Sequence, residues 1–429
     1  MKYEQIDKKL FVENRKLFSV KLKENTLAIF NANDIMPTNA DGSMPFRQNN
    51  DLFWLSGIDQ EESVLIISPN HSDENMREIL FLKETSELIA IWEGAKLTKE
   101  DAQKISGIKT VFWLDELEDK LADLISEVDA IFLNKNTHSR STSEVQTRDD
   151  RFRLKIAEKF SGKQIKEAAP IMHELRVIKA EDEIKLIQTA CNITEKGFRR
   201  ILPFIKPGRM EYEIEAELIH EFLKHRSSGF AYQPIIGSGI DSCVLHYVNN
   251  NKECKNGEIL LMDFGAEYAN YASDLTRTIP VNGKFTDRQK AVYTSVLHVM
   301  KEATKMLAPG TIFKDYNKEV ARIMEFELIK LGLLNKHDVQ KQDSKNPLYK
   351  KYFMHGTSHY LGLDVHDVGS FDSPMREGMV FTCEPGIYIL EEELGIRLEN
   401  DILITTNGPN DLMKDIPVEI EEIETLMSG

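Results

Sequence analysis

The strongest constraint on the fold is an imperfect internal repeat in the second half of the chain. Pro207-Gly208 precedes RMEYEIEAELIHEFLK and Pro309-Gly310 precedes TIFKDYNKEVARIMEFELIKLG, both with apolar residues at helical steps. Each helix leads to a turn rich in glycine and histidine: GSGIDSCVLHYVNN with His246, and HGTSHYLGLDVHD with His366. Each turn leads to two strand-like runs, within ILLMDFGAEYANYASDLTRTIPV and MVFTCEPGIYILEEELGIRLENDILIT. The acids keep register. Asp263 lies 17 residues after His246 and Glu384 lies 18 after His366; Asp274 follows Asp263 by 11 and Glu399 follows Glu384 by 15. Two copies are too few for a solenoid. The pattern predicts one pseudo-symmetric domain of two helix–turn–hairpin halves.

Asp263 and Glu384 each follow an apolar run, Ile259–Met262 and Met379–Cys383. Asp274 and Glu399 lie on the second run of each half. A single acid beside a turn glycine such as Gly265 or Gly386 is ordinary. Four acids in matched, buried strands are costly unless paired or metal-bound. Arg277 and Arg397 are too few to neutralise them, so divalent cations are expected. Four carboxylates and a histidine form a hard, oxygen-rich set. It favours Mn²⁺, admits Co²⁺, Fe²⁺ or Zn²⁺, and speaks against a thiolate zinc site. Five donors, some shared, suit two ions about 3.5–4 Å apart.

A length of 429 residues predicts two domains. A net charge of −16 argues against nucleic acid or an anionic membrane as the main partner. The first twenty residues carry charges throughout, and no apolar run approaches the ~18–20 residues of a membrane span. Cys191, Cys243, Cys254 and Cys383 form no C-x-x-C pair. Few cysteines and no export signal make a cytoplasmic location the expectation.

In the first part TLAIFNA, SVLIIS, EILFL, LIAIW, TVFWL and AIFL read as strands. With the helical DELEDKLADLISEV and RDDRFRLKIAEKFS they predict an α/β domain. Phe46–Gly57, FRQNNDLFWLSG, reads either as a binding loop or as a loop entering a strand. Ala169-Pro170 marks the junction, giving domains 1–172 and 173–429. The stretch from Ile171 to Ile201 reads as long and helical, with an acidic first turn at Ala180–Glu183. The lysine-rich 335–352 reads as a surface loop.

The segment FMHGTSHYLGLDVHDVG gathers His355, His359 and His366. Alone it fits a metal site, a proton relay or a polar turn. Together with MDFGAEYANYASDLTRTIPVNGKF, FTCEPGIYI and GIRLENDILIT it resembles the creatinase/methionine-aminopeptidase superfamily, and within it the aminopeptidase P family. FRQNNDLFWLSG and HELRVIKAEDEI extend that resemblance over nearly the whole chain. It implies an α/β (α+β) protein with an N-terminal α/β domain and a C-terminal pseudo-twofold pita-bread metallopeptidase domain. It implies metal ligands Asp263, Asp274, His359, Glu384 and Glu399, with Asp274 and Glu399 bridging two ions. His246, His355 and His366 would line the substrate site, His355 in a direct or a structural role. Glu384 would shuttle a proton and Arg397 would support Glu399 or another acid. The implied reaction is attack of a metal-bridging hydroxide on the Xaa-Pro carbonyl, releasing the N-terminal residue of a peptide. The implied assembly is a homo-oligomer, a dimer or a tetramer. Prolidase, acting on Xaa-Pro dipeptides, is the alternative; a non-catalytic pita-bread binding protein fits less well, since the ligand set is complete.

Overall fold

The computed structural model describes residues 2–138 and 140–428. It divides into two compact units, Tyr3–Arg176 and Val177 onward.

The first unit is built on a six-stranded sheet. Its spatial order is Thr110–Trp113, Glu78–Leu82, Val64–Ile67, Thr26–Asn31, Ala130–Leu133 and Gln164–Glu167. Thr26–Asn31 is central and buried at every position. It pairs antiparallel with Val64–Ile67 and parallel with Ala130–Leu133. Alternation sorts its side chains to two faces. Leu27 and Ile29 join Ile66, Phe81 and Ile131 in a core closed by Leu121 and Leu124 of helix Leu117–Ser126. Phe30 meets Phe18 of helix Lys8–Lys21 edge-on at 5.3 Å.

Three local readings are corrected here. LIAIW is not a strand: Ser86 caps a helix over Glu87–Glu93, and Leu88, Ile91 and Trp92 are 66, 77 and 80 % exposed. The DLFWLS of the Phe46–Gly57 stretch is helix Asn50–Ser56, buried almost throughout and capped by the Asn49 side chain. Ala169-Pro170 does not break the chain. Pro170 sits in the first turn of helix Ala169–Arg176, where its missing N–H is harmless. The expected 172/173 boundary therefore cuts a helix, and Val177–Ala180 separates it from helix Glu181–Ile201. Glu183 closes that second start by accepting the Ala180 N–H at 2.9 Å.

In the second unit the repeat becomes two helix pairs and two broken hairpins. Glu181–Ile201 packs on Glu211–Lys224, and Asp287–Met306 packs on Phe313–Lys330. The Pro-Gly turn before the second helix of each pair uses the same left-handed glycine, φ +89° at Gly208 and at Gly310. In the first hairpin Ile259–Phe264 pairs with Leu275–Pro280, and beyond a break Ala266–Tyr268 pairs with Tyr271–Ala272. In the second, Val380–Cys383 pairs with Asn400–Thr405, and beyond a break Gly386–Ile389 pairs with Leu394–Arg397. At the first break Gly265 lies so close to the opposite strand that a Cβ would stand 1.7 Å from the Ser273 carbonyl oxygen. Asp274, Glu384 and Glu399 all occupy the breaks, and Asp263 sits one residue before the last of its strand.

The first unit also buries Asp149. Asn31 Nδ2 donates to it at 2.8 Å, yet burial raises its carboxyl to about 6, with Asp51 adding to the rise. A folded carboxyl that keeps its proton to higher pH than the unfolded one stabilises fully below about pH 4, and that contribution is lost by pH 6. The loss is on the order of 3 kcal/mol. Asp149→Asn is therefore expected to be more stable than the natural chain at pH 7. The advantage should disappear at pH 4, as read by chemical denaturation at both pH values.

Candidate metal centre

The breaks bring the acids of both halves together. Asp274, His359 and Glu399 each offer a ligand atom, and these atoms lie within 4.8 Å of one another. His359 Nε2 is 3.4 Å from Asp274 Oδ2 and 3.7 Å from Glu384 Oε1. Asp263 enters from the first strand: Tyr232 donates its hydroxyl to Asp263 Oδ1 at 2.6 Å and also contacts Asp274 Oδ1. Of the five expected ligands, Asp274, His359 and Glu399 form the compact group; Glu384 adjoins His359, and Asp263 is linked to Asp274 through Tyr232.

The donors fit cations. His359 Nδ1 lies 3.0 Å from the Tyr360 carbonyl oxygen, to which it donates, leaving the Nε2 lone pair facing Asp274 and Glu384. Tyr232 has one hydrogen for two carboxylates. Arg397 is the cation that meets the acids, donating from Nη2 to Asp263 Oδ2 at 2.5 Å. Arg277 points elsewhere, to the carbonyls of Pro417, Thr276 and Glu399 and to Asn400 Oδ1. Burial, and then their neighbours' charges, push Asp274 and Glu399 well above the usual carboxylate range. Burial raises Glu384 to about 7, against the opposing pull of His359 and Arg397. Buried acids that hold protons for want of positive charge are what a divalent ion would discharge.

The other histidines are separated by role. Arg397 Nη1 donates to Tyr388 Oη at 3.0 Å, so the Tyr388 hydroxyl donates onward to His355 Nε2 at 2.8 Å. His355 Nδ1 then donates to the Gly356 carbonyl at 2.8 Å. Burial, then the Arg397 charge, lower His355 to about 3. It is a neutral ring with both nitrogens engaged, 3.7 Å from Glu384 Oε2. His366 stands edge-on to His359, ring centres 4.3 Å apart. His246 is exposed and close enough to contribute to the lowering of His355. Arg397 supports Asp263 directly; its Nε reaches Thr276 Oγ1, which in turn holds Glu399. The sequence reading missed Tyr232, Thr276 and Tyr388. Thr276 alone carried a signal, lying two residues beyond Asp274.

Fold and site together define a metal-dependent hydrolase of the pita-bread class. The model of metallopeptidase family M24 matches residues 185–406, and that of the aminopeptidase P N-terminal domain matches residues 11–132. The chain belongs to metallopeptidase family M24. It is 33% identical to the Xaa-Pro aminopeptidase of Escherichia coli, with 99% of this chain and 98% of that one covered. It is 34% identical to the Xaa-Pro aminopeptidase of Haemophilus influenzae, again with 99% and 98% covered. A putative aminopeptidase P from Bacillus anthracis superposes with TM-score 0.91 at 33% identity, 99% of each chain covered. A zinc-substituted aminopeptidase P of E. coli in complex with product superposes with TM-score 0.87 at 32% identity, 99% of each covered.

Burial raises Asp274, Glu399 and Glu384 above the usual carboxylate range, and a cation favours their ionised forms, so metal uptake is expected to displace protons. Titration of chelator-treated protein with Mn²⁺ at pH 7 is expected to release protons. Calorimetry in two buffers of different ionisation enthalpy measures it; zero release would contradict the electrostatic account.

Proposed function

We propose that this metallopeptidase removes the N-terminal residue from peptides with proline in second position. The supporting observation is the buried group Asp274, His359 and Glu399, with Glu384 beside His359 and Asp263 joined through Tyr232, in a chain matching Xaa-Pro aminopeptidases end to end. Asp274 and Glu399 would hold both of two divalent ions in common, Asp263 would complete one site, and His359 with Glu384 would complete the other. Mn²⁺ is the resident metal in this reading, supported by the hard oxygen-rich donors. When bound, the ions would supply Lewis-acid activation of a water and of the scissile carbonyl.

The chain's own groups do the rest. An Xaa-Pro bond is a tertiary amide, so its nitrogen has no hydrogen to offer and must be protonated to leave. Glu384, the more exposed of the acids facing His359, takes a proton from the attacking water. It returns that proton to the proline nitrogen as the C–N bond breaks. His366 and His246 hold the substrate carbonyl oxygen. His355, fixed as a neutral ring, positions Glu384 rather than donating to substrate. Arg397 and Tyr388 lock that arrangement. The chain forms a homo-oligomer in this proposal, a reading supported by the exposed apolar side chains of helix Glu87–Glu93. A reducing cytosol is its compartment, consistent with four free cysteines.

A tripeptide Xaa-Pro-Xaa is expected to be cleaved after its first residue, with kcat/KM about 100-fold above that for Xaa-Ala-Xaa. Faster turnover of the Xaa-Pro dipeptide would point to a prolidase instead. His359→Ala should lower kcat/KM by more than the roughly 10–100-fold of an outer-sphere lesion, with reduced metal content. Full activity with unchanged metal would overturn the assignment.

A further inference from the structure

The two acids read as shared ligands are each held by a side chain from the other half of the domain. Thr276, two residues after Asp274, donates its hydroxyl to Glu399 Oε2 at 2.6 Å. Asp401, two residues after Glu399, accepts the main-chain N–H of Asp274 through Oδ2 at 3.0 Å. Both side chains are fully buried. The direction of the first bond is fixed. Arg397 Nε donates to the Thr276 oxygen at 3.0 Å, leaving the only hydroxyl hydrogen for Glu399. The Cys191 thiol backs the second bond, reaching Asp401 Oδ2 at 3.4 Å. Two more bonds continue the exchange: the Glu399 N–H donates to the Thr276 carbonyl at 3.0 Å, and the Arg277 side chain donates through Nη1 to the Glu399 carbonyl at 2.7 Å.

We propose that Thr276 and Asp401 form a reciprocal clasp across the pseudo-twofold, acting as positioning residues that fix Asp274 and Glu399 and couple cation binding between the halves. This rests on the reading of those two acids as shared ligands. The form of each tether suits the side chain it holds. Glutamate is long, and Glu399 is held at its carboxylate. Aspartate is short, so holding the Asp274 main chain is enough to aim its side chain. With one oxygen committed to Thr276, Glu399 can no longer rotate freely, and its remaining lone pairs keep one direction. Because each tether crosses to the opposite half, loosening either one disturbs ligands common to both ions.

The test is calorimetric titration of chelator-treated full-length protein with Mn²⁺, with folding checked by circular dichroism. The natural chain is expected to take up two equivalents. Thr276→Val, which keeps the shape and removes the hydroxyl, should weaken both equivalents together by about 10–100-fold. Thr276→Ser should restore them. Asp401→Asn, whose side-chain oxygen still accepts the Asp274 N–H, should bind Mn²⁺ better than Asp401→Leu. If the Asp401 variants fail to fold, the Thr276 pair decides. Unchanged affinity in Thr276→Val, or weakening of one equivalent alone, overturns the clasp. A natural chain that takes up no Mn²⁺ overturns the metal-site reading, and the clasp with it.

Discussion

The second unit is organised around an electrostatic problem. Asp274 and Glu399 are almost fully buried, Asp263 and Glu384 adjoin them, and the Arg397 guanidinium meets Asp263. Carboxylates this close in a dry interior cannot all ionise without added positive charge. The surrounding structure holds them there regardless. Strand pairing is interrupted at Gly265, Glu384 and Leu398-Glu399, so side chains at the breaks turn inward instead of following the pleat. His359 is fixed with its lone pair toward the acids. A cation bound among these acids would relieve that crowding, which would contribute to its binding energy.

Much of this centre was legible because acids interrupting apolar strands are rare and their spacing recurs. Asp263, Asp274, Glu384 and Glu399 announce themselves in one dimension. Tyr232 does not, because its role depends on strand Ile235–Ser238 lying beside Ile259–Phe264, a register no local pattern encodes. Tyr388 was hidden for the same reason, its partner being 33 residues away, whereas Asp401, like Thr276, lies two residues beyond an expected ligand. In the first unit the errors came from runs without periodicity. LIAIW is rich in strand formers, but Ser86 is a helix cap and the segment is not packed into a sheet. DLFWLS is buried almost all round, so its helix shows no amphipathic stripe. Gln164–Glu167 is a polar edge strand and gave no strand signal at all.

Burial also sorts the acids by task. The Asp274 side chain is 7 % exposed and that of Glu384 is 20 %. A ligand shared by two ions gains from being held and shielded. A group that exchanges protons with water and a leaving nitrogen must remain reachable. His355 shows the complementary arrangement: its two nitrogens are engaged by Tyr388 and Gly356, so it stays neutral beside Glu384 and does not compete for the travelling proton.

The duplication supplies a symmetric frame, and one arginine makes it asymmetric. Asp263 and Glu384 occupy corresponding places, each on or just beyond the first strand of its hairpin. Arg397, anchored by Thr276 and Tyr388, sends Nη2 to Asp263. Glu384 receives no such contact; its neighbours are His359 and His355 at 3.7 Å. A guanidinium cannot give up its proton and presents a fixed positive charge to its partner. An imidazole with one nitrogen tied to a carbonyl imposes no fixed charge. The acid facing arginine is therefore pinned by a fixed positive charge, whereas the acid facing histidines is not. From two equivalent positions, the choice of neighbour assigns one acid to structure and the other to chemistry.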